Sequence, residues 1–296
     1  TPIGDTQAGV PELKPDSRYN RDSDVISTRF SIGVDVLNAI VETPPDGCIN
    51  HRIMDYIDRF AWHMANVPGV QDVVSLAGVM KVVSSGWNEG SLEWRTLPRN
   101  EMQLVQAQAY LETSTGLFNP DCSAMPVMIY TADHKAETIA RIVREIKQWR
   151  SENEIPQARI MLATGNVGVM AATNEEVKAK EWPILAGVFA AVTLMCLITF
   201  RSISGTLCVI LPLALVSVLA YAIMAIVGIG LKVSTLPMVA LGVGIGVDYG
   251  IYLYSRMQEY LRGGHSVPDA YRQTLTVTGA SVIFTGLTLA IGVVTW

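Results

Sequence analysis

Charge is scarce in this sequence, and unevenly so. Asp, Glu, Lys and Arg make up 17% of its 296 residues, against roughly 25% in soluble domains. Residues 182–296 hold eight of these 49 charges, a fraction of 7%, while residues 1–181 hold 41, a fraction of 23%. With a mean hydropathy of +0.31, this pattern argues against an ordinary soluble enzyme. Net charge is −7 in the first part and +2 in the second, so neither offers the basic face that a nucleic-acid partner requires. Metal-ligand spacing is missing too. His51, His63, His134 and His265 are scattered, and there is no His-Glu-x-x-His or Cys-x-x-Cys. A Gly-x-Ser-x-Gly elbow is absent. Gly242, Gly244 and Gly246 fail the dinucleotide pattern, because Val247 or Tyr249 stands where its third glycine belongs. No enzyme, metal or organic cofactor is expected. The chain starts at Thr1 and stops at Trp296 inside an apolar run, and it is read as a fragment of a longer protein.

What is present is a water-soluble domain, residues 1–181, followed by a membrane domain, 182–296. Four apolar segments lie at about 182–200, 205–231, 235–254 and 274–296, each near the ~20 residues that cross ~30 Å of hydrocarbon. The first opens on Pro183, where a missing N–H is harmless, and the second contains Pro212 as a kink and stops at Lys232. A polar connector, Ser255–Gln273, precedes the fourth. Placing the first domain outside puts Arg201, Arg256, Arg262 and Arg272 on the cytoplasmic side, against Lys178, Lys180 and Lys232 on the other. Trp182 and Trp296 then fall at one interface, Tyr252 and Tyr254 at the opposite one.

In the first domain, residues 25–42 favour strand, 50–66 helix through Ile53, Met54, Ile57, Phe60, Ala61 and Met64, and 70–83 strand again. A second unit repeats this order: strand 126–131, helix 134–149 with a stripe of Ile139, Ile142, Val143, Ile146 and Trp149, strand 158–164. Two β-α-β units predict a ferredoxin-like split βαβ sandwich with 84–125 inserted, an α+β fold ahead of an α-helical bundle. Residues 166–181 are expected to form a helix running into the first span. Cys196 and Cys208 lie within spans as small apolar fillers. Cys48 and Cys122 lie in the soluble domain and are a candidate disulfide if that domain faces an oxidising compartment, where closing their 74-residue separation contributes about 4 kcal/mol. Two independent thiols are the alternative.

The third span, residues 235–254, concentrates the chemistry. Asp248 is the one carboxylate inside any expected span, and in hydrocarbon it costs at least ~2.5 kcal/mol unless it faces a bundle interior, a partner or water. Gly242, Gly246 and Gly250 repeat at i+4, a groove for a close helix neighbour. Gly244 lies one turn from Asp248 and leaves a bare patch beside the carboxylate, and Tyr249 adds a hydroxyl. In the fourth span, Thr274, Thr278, Ser281, Thr285, Thr288, Gly292 and Thr295 lay a small, hydroxylated stripe down one face, expected to point into the bundle. Counting turns from the connector matches Asp248 in depth with Ser281, and Thr285 lies one turn deeper.

Gly244-Ile-Gly246-Val-Asp248-Tyr249 resembles the Gly-x-Gly-x-Asp-Tyr signature of resistance-nodulation-division (RND) exporters, in the branch of hydrophobe and mycobacterial membrane protein large (MMPL) transporters. Val67-Pro68-Gly69-Val70 with Val73 and Ser75 is similar to their porter stretch where a helix turns into a strand. Pro11-Glu12-Leu13-Lys14-Pro15-Asp16-Ser17-Arg18-Tyr19-Asn20 looks like an early porter loop. The resemblance implies an extracytoplasmic porter domain and helices two to five of one half of a duplicated transporter. It also implies secondary active, proton-gradient-driven export of a hydrophobic or lipid-like molecule across a bacterial inner membrane, with residues 1–181 periplasmic. Asp248 and Tyr249 then form the proton relay, with Ser281 and Thr285 as its partners. The partners expected are the substrate, membrane lipids, the second half-repeat and a further copy of the chain. A non-transporting sterol-sensing-like receptor or scaffold, or a protein-translocation accessory subunit, are the alternatives.

Overall fold

A computed structural model describes residues 3–6, 10, 13–14, 16–30, 32–232 and 235–294, without the side chains of 163–164, 236–241 and 293–294. Pro11, Glu12, Pro15, Thr295 and Trp296 therefore lie outside the described residues. The chain divides into two compact units, Ile3–Glu176 and Val177–Trp296.

The first unit is built on strands β1 (Asp35–Glu42), β2 (Val70–Val74), β3 (Ala124–Thr131) and β4 (Arg159–Thr164). Their order is β2-β3-β1-β4, and every pairing is antiparallel. Strand β3 thus lies between β1 and β2, the split arrangement of two β-α-β units. Helix α2 (His51–Ala65) joins β1 to β2, and α5 (Ala136–Glu152) joins β3 to β4. Alternate residues of β1, Leu37, Ala39 and Val41, are buried, as are Met125, Val127 and Ile129 of β3, the period-2 pattern of a sheet with one packed face. Ile53, Met54, Ile57, Phe60 and Met64 of α2 and Ile139, Ile142 and Ile146 of α5 fill the same core. Trp149 closes it against Tyr56 and Phe60, with ring centroids 4.9 and 5.0 Å away. Gly69 connects α2 to β2 at a φ of 97°, where a Cβ would stand 2.7 Å from the Thr138 methyl.

Two expected strands are shorter than their β-rich composition suggests. Residues 18–29 form helix α1 (Arg18–Arg29), so the expected strand over 25–42 begins only at Asp35. Ser17 caps this helix by accepting from the Asn20 N–H, and Asn20 in turn bonds Val10 and Lys14, local bonds that outweigh the β preference of Val25 and Ile26. The expected strand over 70–83 ends at Val74, because the Ser75 hydroxyl accepts from Gly78 N at 3.2 Å and starts α3 (Leu76–Trp87). Helix α3 then buries Leu76, Ala77 and Met80, and Lys81 pairs with Asp58 of α2 at 2.6 Å.

The segment between the two β-α-β units carries α4 (Glu101–Gln108) and is tied down twice. A disulfide joins Cys48 to Cys122, with Cα atoms 5.5 Å apart, and His51 Nδ1 lies 3.0 Å from the Pro98 carbonyl oxygen. Beside the disulfide, Asp121 accepts from the Ser123 hydroxyl and amide, which hold its carboxyl below the usual range.

Helix α6 (Asn166–Phe200) is continuous through Pro183, which therefore sits inside a helix and not at the start of one. Helices α7 (Ile203–Val227) and α8 (Leu236–Arg262) follow. Helix α7 stops before the expected Leu231 because Gly228, at a φ of 77°, takes the left-handed cap. The expected polar connector Ser255–Gln273 is mostly helical. Helix α8 runs on to Arg262, with Arg256 and Glu259 paired one turn apart, and α9 (Val267–Thr274) starts on the cap Ser266, which accepts from Asp269 N. A π-helical stretch, Leu275–Gly279, leads into α10 (Ala280–Val294). Among the described residues, three helices are long and apolar enough to cross a membrane: Asn166–Phe200, Ile203–Val227 and Val267–Gly292. The remaining expected span coincides with α8, whose first-turn side chains lie outside the described residues.

Candidate functional site in the membrane unit

Helix α8 meets α6 and α7 through one face. Val243 and Val247 are buried in a cluster with Cys196 and Phe200 of α6 and Val209 and Leu213 of α7. The same face brings glycines onto α7: a Cβ at Gly246 would stand 2.7 Å from Leu213 Cδ1, and one at Gly250 2.7 Å from Val209 Cγ1. Gly242, the first of the expected triplet, meets nothing within 4 Å. Sequence reasoning missed Gly205 of α7, which lies directly under the Tyr254 ring. Its position four residues before Val209 was the available signal, the i+4 spacing of a contact face. Tyr254 also packs on Phe200 at a centroid distance of 4.6 Å, so it faces inward, away from the interfacial belt expected of it. Tyr252 and Trp182 are exposed.

Asp248 occupies the opposite side of α8. At about 100° per residue, it lies on a face with Gly244 and Tyr252, and all three are exposed. A Cβ at Gly244 would meet nothing within 4 Å, so the carboxylate stands beside bare backbone. Tyr249 is half-buried and points about 100° away from its neighbour. Among the described residues no donor reaches Asp248.

The hydroxyl stripe does not close on this carboxylate. Thr274 is buried and donates to Ala270 O at 2.8 Å. Thr285 donates to Ser281 O at 2.9 Å and Thr288 to Phe284 O at 2.8 Å, the backbone bonding that hydroxyls adopt within apolar helices. Ser281, Thr285 and Thr288 are exposed, in place of the inward position expected of them. Ser281 keeps its hydroxyl uncommitted among the described residues.

Three helices long and apolar enough to cross a membrane, beside a helix whose exposed carboxylate has no partner among the described residues, define a membrane protein. The MMPL family model matches residues 15–295, and the chain belongs to that family. It is 21% identical to a putative membrane protein of Methanocaldococcus jannaschii, over 92% of this chain and 72% of that protein. It is 26% identical to the probable transport protein MmpL9 of Mycobacterium tuberculosis, over 60% of this chain and 19% of that protein.

Proposed function

We propose that this chain is part of an RND-type exporter that uses the proton gradient to move hydrophobic or lipid-like molecules across a bacterial inner membrane, with residues 1–181 on the periplasmic side. The observation that carries the reading is Asp248, a carboxylate on the face of α8 turned away from α6 and α7. In hydrocarbon its charge costs at least ~2.5 kcal/mol, so its face belongs against a polar partner or water. Protonation removes that charge and with it the reason for one helix arrangement. Loading and releasing a proton then biases the equilibrium between two arrangements. Asp248 holds the proton, Tyr249 passes it along the adjoining face, and Ser281 and Thr285 take part once the helices close. The second half-repeat supplies the surface that covers Asp248. No cofactor beyond the proton gradient is required.

The test is Asp248→Asn in the full-length protein. This change keeps the side-chain size and removes the titrating group. Export of an apolar substrate falls to background in cells while protein abundance stays normal. Wild-type export at normal abundance overturns the relay role.

A further inference from the structure

A groove of about 670 Å³ opens in the first unit, between the end of β1, the last turn of α5 and the start of β4. Tyr56 lines it from α2, only 5% exposed. Its ring is held against Trp149, and its hydroxyl has no hydrogen-bond partner among the described residues. The ring is buried while the hydroxyl opens into the groove, so a molecule entering the groove meets it directly. Four charged side chains surround the same space, Arg150 and Arg159 against Glu42 and Glu154. Among the described residues none of the four is in an ion pair, and Arg150 uses one guanidinium nitrogen on the Ile160 carbonyl at 3.2 Å. Burial raises the Tyr56 pKa above the ordinary tyrosine value, with the Arg150 charge opposing the shift and the Glu154 charge adding to it. Both charges therefore act at the hydroxyl.

We infer that this groove binds a small zwitterion, with its anionic oxygens between the Tyr56 hydroxyl and Arg150 and its ammonium group toward Glu154 and Glu42. The two signs of charge bordering one unpartnered hydroxyl select against a simple anion, which meets the glutamates, and against a simple cation, which meets the arginines. Apolar lining is limited to short or cyclic side chains such as Pro44, Pro156 and Ala158 beside Ile155, so nothing here would hold an acyl chain. The site is separate from Asp248 and does not depend on the transport reading.

The test is titration of the full-length purified protein with 6-aminohexanoate, with hexanoate and hexylamine as controls that each carry one charge, read by calorimetry or saturation-transfer NMR. The zwitterion binds saturably and both controls bind at least tenfold more weakly. Tyr56→Phe, which keeps the ring packing, weakens binding by about tenfold, the loss of one charge-assisted hydrogen bond, and Glu154→Gln weakens the zwitterion while strengthening hexanoate, which no longer meets that charge. Thermal melts that match the wild type show both variants to be folded. An absence of saturable binding, hexanoate binding as tightly as the zwitterion, or a folded Tyr56→Phe variant with wild-type affinity each overturns the assignment.

Discussion

Gly250 of α8 and Val209 of α7 are in direct register: a Cβ on the glycine would stand 2.7 Å from the valine Cγ1. The two helices approach as closely as they do because one of them carries no side chain at that level, and packing of this kind replaces the hydrophobic effect between helices in lipid. Gly250→Ala should therefore destabilise the full-length protein in detergent by about 1–3 kcal/mol, the usual range for overpacking. Val209→Ala added to it should restore part of the loss. A double-mutant cycle on unfolding free energy checks this, and strictly additive effects would show that the two residues do not share a contact.

The disulfide between Cys48 and Cys122 fixes the segment between the β-α-β units to the turn that precedes α2. On the chain-entropy model its 74-residue separation corresponds to about 4 kcal/mol. Replacing both cysteines by alanine should lower the melting temperature of the first unit by several degrees, and adding reductant to the wild type should reproduce the shift. Equal melting of oxidised and reduced protein would contradict the bond's role.

Tyr56 makes stability depend on alkaline pH. Its pKa is raised in the folded state, chiefly by burial, so the folded protein holds this proton more tightly than the unfolded chain. The associated stability is fully present below the ordinary tyrosine value of about 10 and is lost as pH rises through the folded pKa. Tyr56→Phe should abolish that part of the loss, seen as a flatter stability profile above about pH 10 and as a missing late step in the phenolate absorbance titration.

The two hydroxyls proposed beside Asp248 should separate in their effects. Thr285 is already bonded to the Ser281 carbonyl at 2.9 Å, whereas the Ser281 hydroxyl is uncommitted. Ser281→Ala should therefore slow export more than Thr285→Val does, measured as initial rates at equal abundance. The reverse order would place the relay partner one turn deeper.

Much of the first unit is legible in the sequence, because burial there follows simple periods. The stripes of α2 and α5 and the alternation in β3 reproduce the packed face almost residue by residue. The misread stretches are those where a short side chain decides. Ser17 caps a helix that runs on through the β-branched Val25 and Ile26, Ser75 caps one directly after Val73 and Val74, and Gly228 ends a helix in the middle of an apolar run. Hydropathy is insensitive to all three. In the membrane unit the sequence isolates Asp248 by composition, but the side of α8 it occupies depends on which glycines touch α7. Gly246 and Gly250 do and Gly242 does not, a distinction that i+4 spacing alone cannot make.

The central claim, that Asp248 carries the proton that drives transport, is tested most directly by reconstituting the full-length protein in liposomes and imposing a pH gradient across the membrane. Proton movement coupled to an apolar substrate is predicted for the wild type and its loss for Asp248→Asn, with both proteins inserted and folded to the same extent. Coupled proton movement persisting in the Asp248→Asn protein would contradict the account.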